Sequence, residues 1–237
     1  MRSSLLLIMA ALLVPGLALA QTSSWGAAAG VADSGVRGEL ERFQERTTGA
    51  AFGLYAARRI REHLSVGVEL WYSRTGVDFV MPDRGGPVPG AARTYSLRFQ
   101  ALELHALPRV ELPSPFSWIR PTLMLGPALV WIPSCSYRQS YTNQRAQAGH
   151  WTGCAADPDL TPDSPGGPMV EWFLGFPERR AFDVRAVSGL GLEVPLGPTL
   201  ISVEARYTLG LRSMDGAGNP DARHEAVWAL ARVGWTP

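Results

Sequence analysis

The chain has no lysine. All 22 of its basic residues are arginine, a bias that fits GC-rich coding better than a function. It also lacks an excess of either charge. Removing Arg2 with the leader described below leaves 21 Arg against 21 acidic residues. Nucleic acid and other polyanions are therefore unsupported as partners, since nothing steers them electrostatically. Cysteine is scarce: Cys135 and Cys154 are the whole complement. With no matching His pair they do not make a zinc site. In an exported chain an even count points to a disulfide, with two free thiols as the alternative. Histidine is also rare, at four residues. Beyond the N-terminus no run approaches the ~18 apolar residues a membrane helix needs, and no amphipathic helix stands out.

What is present begins with a leader. "MRSSLLLIMAALLVPGLALAQ" has one charge, Arg2, an apolar run from Leu5 to Val14, and a small-residue site at Ala18-Leu19-Ala20. This is the pattern of a cleaved signal peptide over residues 1–20. Residues 21–237 then form a single domain of 217 residues. The chain is apolar for an exported protein, with mean hydropathy near zero and eight Trp.

Alternation with a period of two runs through the mature chain, the signature of strands with two unlike faces. In "TLISVEARYTLGL", Ile201, Val203, Ala205, Tyr207 and Leu209 share one side, and Ser202, Glu204, Arg206 and Thr208 share the other. Similar alternation covers residues 25–32, 51–57, 64–73, 94–107, 119–132, 182–194 and 226–235, giving eight segments in all. Within residues 94–107 the phase slips. Tyr95, Leu97, Phe99 and Ala101 are apolar in one phase, Leu102 and Leu104 in the other, which predicts a β-bulge. Connections alternate between short turns and long loops, near residues 33–49, 79–93, 133–181 and 212–223. That layout predicts an all-β fold, an eight-stranded antiparallel up-and-down transmembrane β-barrel.

The polar face predicts what fills such a barrel. Glu69, Glu103, Asp183, Glu193 and Glu204 balance Arg98, Arg120, Arg185, Arg206 and Arg232, with His105 beside Glu103. Even matching is what a narrow closed interior requires, because buried charges must be paired. Aromatics on the apolar face sort by height. Phe52, Tyr72, Tyr95, Trp131 and Phe182 fall at the loop end, Trp25, Trp118 and Trp235 at the turn end. These are expected to form two interfacial girdles.

The stretch "YSLRFQALELHALPRVEL…WIRPTLMLGPAL" resembles the central motif of PorT-like outer-membrane β-barrel proteins. "SGLGLEVPLGPTLISVEARYTLGL" is similar to that family's later hairpin. The sharp motifs span about a third of the mature chain. The chain departs from the family in its long 133–181 loop, which carries both cysteines. The resemblance implies an eight-stranded barrel in the outer membrane of a Gram-negative bacterium, and little chemistry.

Candidate chemistry is thin. His105 beside Glu103 is read as an interior hydrogen-bonding group rather than a base. His224 and Ser213, at one loop, are the pair a lipid hydrolase would need. Asp157, Asp159 and Asp163 lack the pattern of a calcium loop. The expectation is a structural or interactive outer-membrane protein that contacts lipid, and other envelope proteins through its external loops, with no cofactor, metal or catalytic residue. The alternatives are a small pore, a loop-borne lipid hydrolase and a periplasmic lipocalin-like barrel with its apolar faces inward.

Overall fold

The computed structural model describes residues 23–38, 41, 44–82, 92–141, 152–153, 182–211 and 223–236. The predicted signal peptide, Cys154, Ser213, His150 and the Asp157–Asp163 segment lie outside them. Eight long strands close on themselves: β1 (Ser23–Arg37), β2 (Gln44–Arg61), β3 (Leu64–Pro82), β4 (Ala92–Glu111), β5 (Arg120–Tyr141), β7 (Phe182–Leu196), β8 (Thr199–Gly210) and β9 (Arg223–Trp235). Each pairs antiparallel with the next, and β9 returns to β1. The two-residue β6 (Thr152–Gly153) adds to β5 near Ser136 and Tyr137 and is not part of the circuit.

Both ends of the described chain lie at the short-turn end. There, β2 and β3 join through Glu62 and His63, and β7 and β8 through Gly197 and Pro198. Gly197 takes a φ of +62°. A two-residue hairpin with a positive φ at its first central position needs Gly there, and Pro fits the second. The strands run further toward the loop end than the alternation predicts. Residues 33–37, 44–49 and 133–141, expected in loops, belong to β1, β2 and β5. A bilayer-spanning strand needs about 9–11 residues. β8 and β9 have 12 and 13, but β3, β4 and β5 have 19, 20 and 22.

The two faces of the sheet are unlike. Outward on β5 stand Leu123, Leu125, Leu129 and Trp131, between 43 and 64 % exposed. On β8 and β9, Ile201, Val203, Val227 and Val233 are likewise exposed. Inward, the middle of the barrel packs Ala28, Ala32, Ala51, Trp71, Ala226, Trp228 and Leu230 together. Gly53 makes this packing possible, since a Cβ there would sit 2.6 Å from the Trp71 ring. A second apolar group joins Leu107, Met124, Ala128 and Val187.

The predicted bulge is not in β4. That strand pairs with β3 in one unbroken register from Val110 to Ala92, so its odd-numbered residues stay on the inner face throughout. The irregularity sits on β5, where Gln100 pairs with Ser134 but Leu102 pairs with Trp131. The extra β5 residue falls at Ile132–Pro133, and Pro133 has no amide proton to give to a ladder.

Candidate functional site: the barrel interior and its turn-end mouth

The interior is built around two carboxylates on facing walls, Glu69 of β3 and Glu204 of β8. Both are buried. Three guanidinium groups hold them. Arg206 donates to Glu69 at 2.6 and 3.1 Å and to Glu204 at 2.9 Å. Arg109 donates to Glu69 at 2.6 Å and to Glu204 at 2.7 Å. Arg232 pairs with Glu204, stands 3.5 Å from Glu69, and lies 3.6 Å over the Tyr55 ring. Strand alternation brings this about: inward positions recur every second residue, so Glu204 and Arg206 point the same way from one strand. Burying a charge alone is costly, and here each carboxylate is shared among several donors.

A second cluster lies alongside. Glu103 accepts from Ser73 at 2.8 Å, lies 3.1 Å from His105 Nε2, and pairs with Arg185 at 3.4 Å. Arg185 Nε also donates to Asp183 at 3.2 Å. Aromatic rings bridge the two clusters. Trp71 donates to Glu69 at 2.8 Å and meets Trp228 edge-on at 5.7 Å. His105 lies 6.1 Å from Trp228. Arg206 sits 5.4 Å over Trp71.

Of the eleven residues expected in the network, the structure brings Glu69, Glu103, His105, Asp183, Arg185, Glu193, Glu204, Arg206 and Arg232 to the inner side. Arg120 stands at the turn-end mouth with 39 % of its side chain exposed. Arg98 is a correction: it lies on the outer face of β4 and binds Asp78 of β3 at 2.7 Å. Its even position fixes this, because β4 never changes phase. Arg109 is the residue that sequence reading missed. Pro108 and Pro113 made its surroundings look like a turn, yet it continues the inward series Glu103, His105, Leu107.

The aromatics behave similarly. Trp25 and Trp235 are exposed cross-strand partners at the turn end, and exposed Trp118 lies in the β4–β5 turn, 6.0 Å from Phe116. Toward the loop end, Phe52, Tyr72, Leu102, Trp131 and Phe182 are successive cross-strand partners along one outward row. Tyr95 is a second correction. It is 7 % exposed and lies inside, paired with Phe79. Leu102 takes its expected place in the row.

Of the residues weighed for catalysis, Ser213 lies outside the described residues. Glu103 stands between Ser73 and His105, accepting from the hydroxyl at 2.8 Å and lying 3.1 Å from the imidazole. His224 is buried inside, with neither ring nitrogen hydrogen-bonded. Cys135 lies on β5, opposite Phe99.

The turn end of the interior opens into a cavity of about 300 Å³. Arg59, Arg109, Glu111, Arg120, Glu193 and Arg232 line it, with Tyr55 and small polar residues between them. Arg59 pairs with Glu111, and Arg120 stands 4.0 Å from the same carboxylate. Glu193 is 3.6 Å from Arg109.

In a bilayer no backbone polar group can go unpaired, so only helices and closed barrels cross it. A closed antiparallel barrel with an apolar exterior and charged interior is the outer-membrane type. The protein is an outer-membrane β-barrel. No family model matches the chain, and no curated protein matches it by sequence. Among solved structures it is similar to Ail, the attachment invasion locus protein of Yersinia pestis (10 % identity over 91 % of this chain and 99 % of that one, TM-score 0.40). It is similar to Neisserial surface protein A (14 %, 90 % and 97 %, TM-score 0.41). The outer membrane enzyme PagL is a third (11 %, 88 % and 97 %, TM-score 0.39). Likeness at this level carries no activity to this chain.

Proposed function

We propose that this protein is a closed outer-membrane barrel whose role is structural or interactive. The observation that carries the reading is the bridging of Glu69 and Glu204 by Arg109, Arg206 and Arg232. Eight strands leave an interior that side chains can fill, and this network occupies it from wall to wall. Lipid contacts the apolar band, and other envelope proteins meet the loop end. Cleavage after residue 20 and a Cys135–Cys154 bond belong to the same proposal. So does membership of the PorT-like group, from which no secretory role is carried over. Single-channel recording of the purified protein in planar bilayers tests the closed interior. No steady large conductance is expected. A steady large conductance overturns the reading in favour of a pore.

A further inference from the structure

We infer that the turn-end cavity is a binding site for a small soluble oxyanion, a phosphate or a carboxylate. Three observations carry this. First, the lining is cationic: four guanidinium groups, from Arg59, Arg109, Arg120 and Arg232, face two carboxylates, Glu111 and Glu193. Two of them, Arg109 and Arg232, also bridge the deeper Glu69 and Glu204 with Arg206, so cavity and network together hold five guanidinium groups against four carboxylates. Second, donors are left over at the inner wall. Arg109 and Arg232 are each 3 % exposed, and the Nε of each is buried without a hydrogen-bond partner. Buried donors are normally satisfied, and the two residues that carry these unpaired Nε–H groups both line the cavity. Third, one of the two lining carboxylates sits loosely. Glu193 is 3.6 Å from Arg109, beyond hydrogen-bonding distance, whereas Glu111 is held by Arg59.

The cavity is also large enough. Its 300 Å³ far exceeds the roughly 10–15 Å³ that one ordered water needs. An oxyanion entering from the turn end meets Arg59 and Arg120 at the rim, both partly exposed. It then meets Arg109 and Arg232 at the floor, where the network ends its path. Planar guanidinium groups suit the paired oxygens of phosphate and carboxylate. The inference rests on the outer-membrane reading only for the compartment that supplies the anion, the periplasm. Binding itself can be read in detergent whichever way the barrel faces, and whether or not it conducts.

The test is calorimetric titration of inorganic phosphate into the folded full chain in dodecyl maltoside, with chloride at matched ionic strength as the control. Saturable binding of phosphate, absent with chloride, is expected. Arg120→Gln and Arg59→Gln, both at exposed rim positions that leave the core network whole, should each weaken it by about tenfold, the loss of one charge-assisted contact. Glu193→Gln removes a competing carboxylate and should tighten it. Equal heats for phosphate and chloride overturn the inference, as does binding indifferent to Arg59→Gln, Arg120→Gln and Glu193→Gln. Binding of soluble short-chain phosphatidylglycerol without binding of inorganic phosphate also overturns it, by making a lipid headgroup the ligand.

Discussion

Two regions of one barrel wall follow opposite rules. On the turn-end side of the row from Phe52 to Phe182, outward residues are apolar and the interior is charged. On the loop-end side, β3 and β4 continue without a break in pairing, yet the pattern reverses. Outward stand Arg74, Asp78, Arg98 and Gln100. Inward stand Val77, Phe79, Tyr95, Leu97 and Phe99, all buried. Tyr137 of β5 joins them, paired with Leu97. The first region is suited to lipid outside. The second is an ordinary water-soluble wall with an apolar core. The row of Phe52, Tyr72, Trp131 and Phe182 marks the change, where interfacial aromatics belong.

The strands make the reversal in two ways. In β4 the geometry is constant and the sequence changes phase, from Leu97, Phe99 and Ala101 inside to Leu102 and Leu104 outside. In β5 the sequence phase is constant, with Leu129, Trp131, Cys135 and Tyr137 all odd-numbered, and the bulge at Ile132–Pro133 turns the strand over. A one-residue offset moves a whole apolar set to the other face.

The largest effect expected from breaking this contrast lies in the charged interior. Glu204→Ala leaves Arg109, Arg206 and Arg232 short of a partner. It should cost about 3–5 kcal/mol, read as a lower urea midpoint for unfolding in detergent. In the apolar core of the loop end, Phe79→Ala should cost about 3–5 kcal/mol through its cavity, whereas Phe52→Ala, on the outer surface, should cost far less. On the outside, Leu125→Arg places a charge in the band, at a cost of up to about 2–4 kcal/mol. Gln100→Arg, beyond the row, should leave stability in lipid vesicles unchanged. Equal costs for these two would remove the boundary. The smallest effect is expected from Arg98→Gln, which breaks a part-exposed pair with Asp78 worth about 1 kcal/mol or less.

Much of this was legible before the structure. The strand alternation around Ile201–Leu209 and Val66–Tyr72 marked both faces correctly, because each stays within one solvent on its outer side. The acidic half of the network was legible for the same reason. What was not legible follows from the reversal. A reader who assigns one outward solvent to a whole strand must explain the slip at Ala101 by a bulge, and must then place Tyr95 and Arg98 on the wrong faces. Arg109 was lost to a different cause. Its neighbour Pro108 signals a turn, yet it falls at an outward position of β4, and the strand continues to Glu111. How inner aromatics such as Trp71 and Trp228 pack is also hard to read, since interior volume depends on small residues such as Gly53 on neighbouring strands.

The measurement that bears most directly on the reversal is a spin-label scan of β4, residue by residue from Thr94 to Val110, in lipid vesicles, with Cys135 and Cys154 replaced by Ser. Collision with oxygen reports lipid, and collision with a water-soluble nickel chelate reports water. Leu102, Leu104 and Ala106 should show high oxygen accessibility, and Arg98 and Gln100 high nickel accessibility. Odd-numbered positions should be shielded from both along the whole strand. High oxygen accessibility at Tyr95, Leu97 and Phe99 would contradict the account, because it would mean that β4 turns over and the apolar face meets lipid throughout.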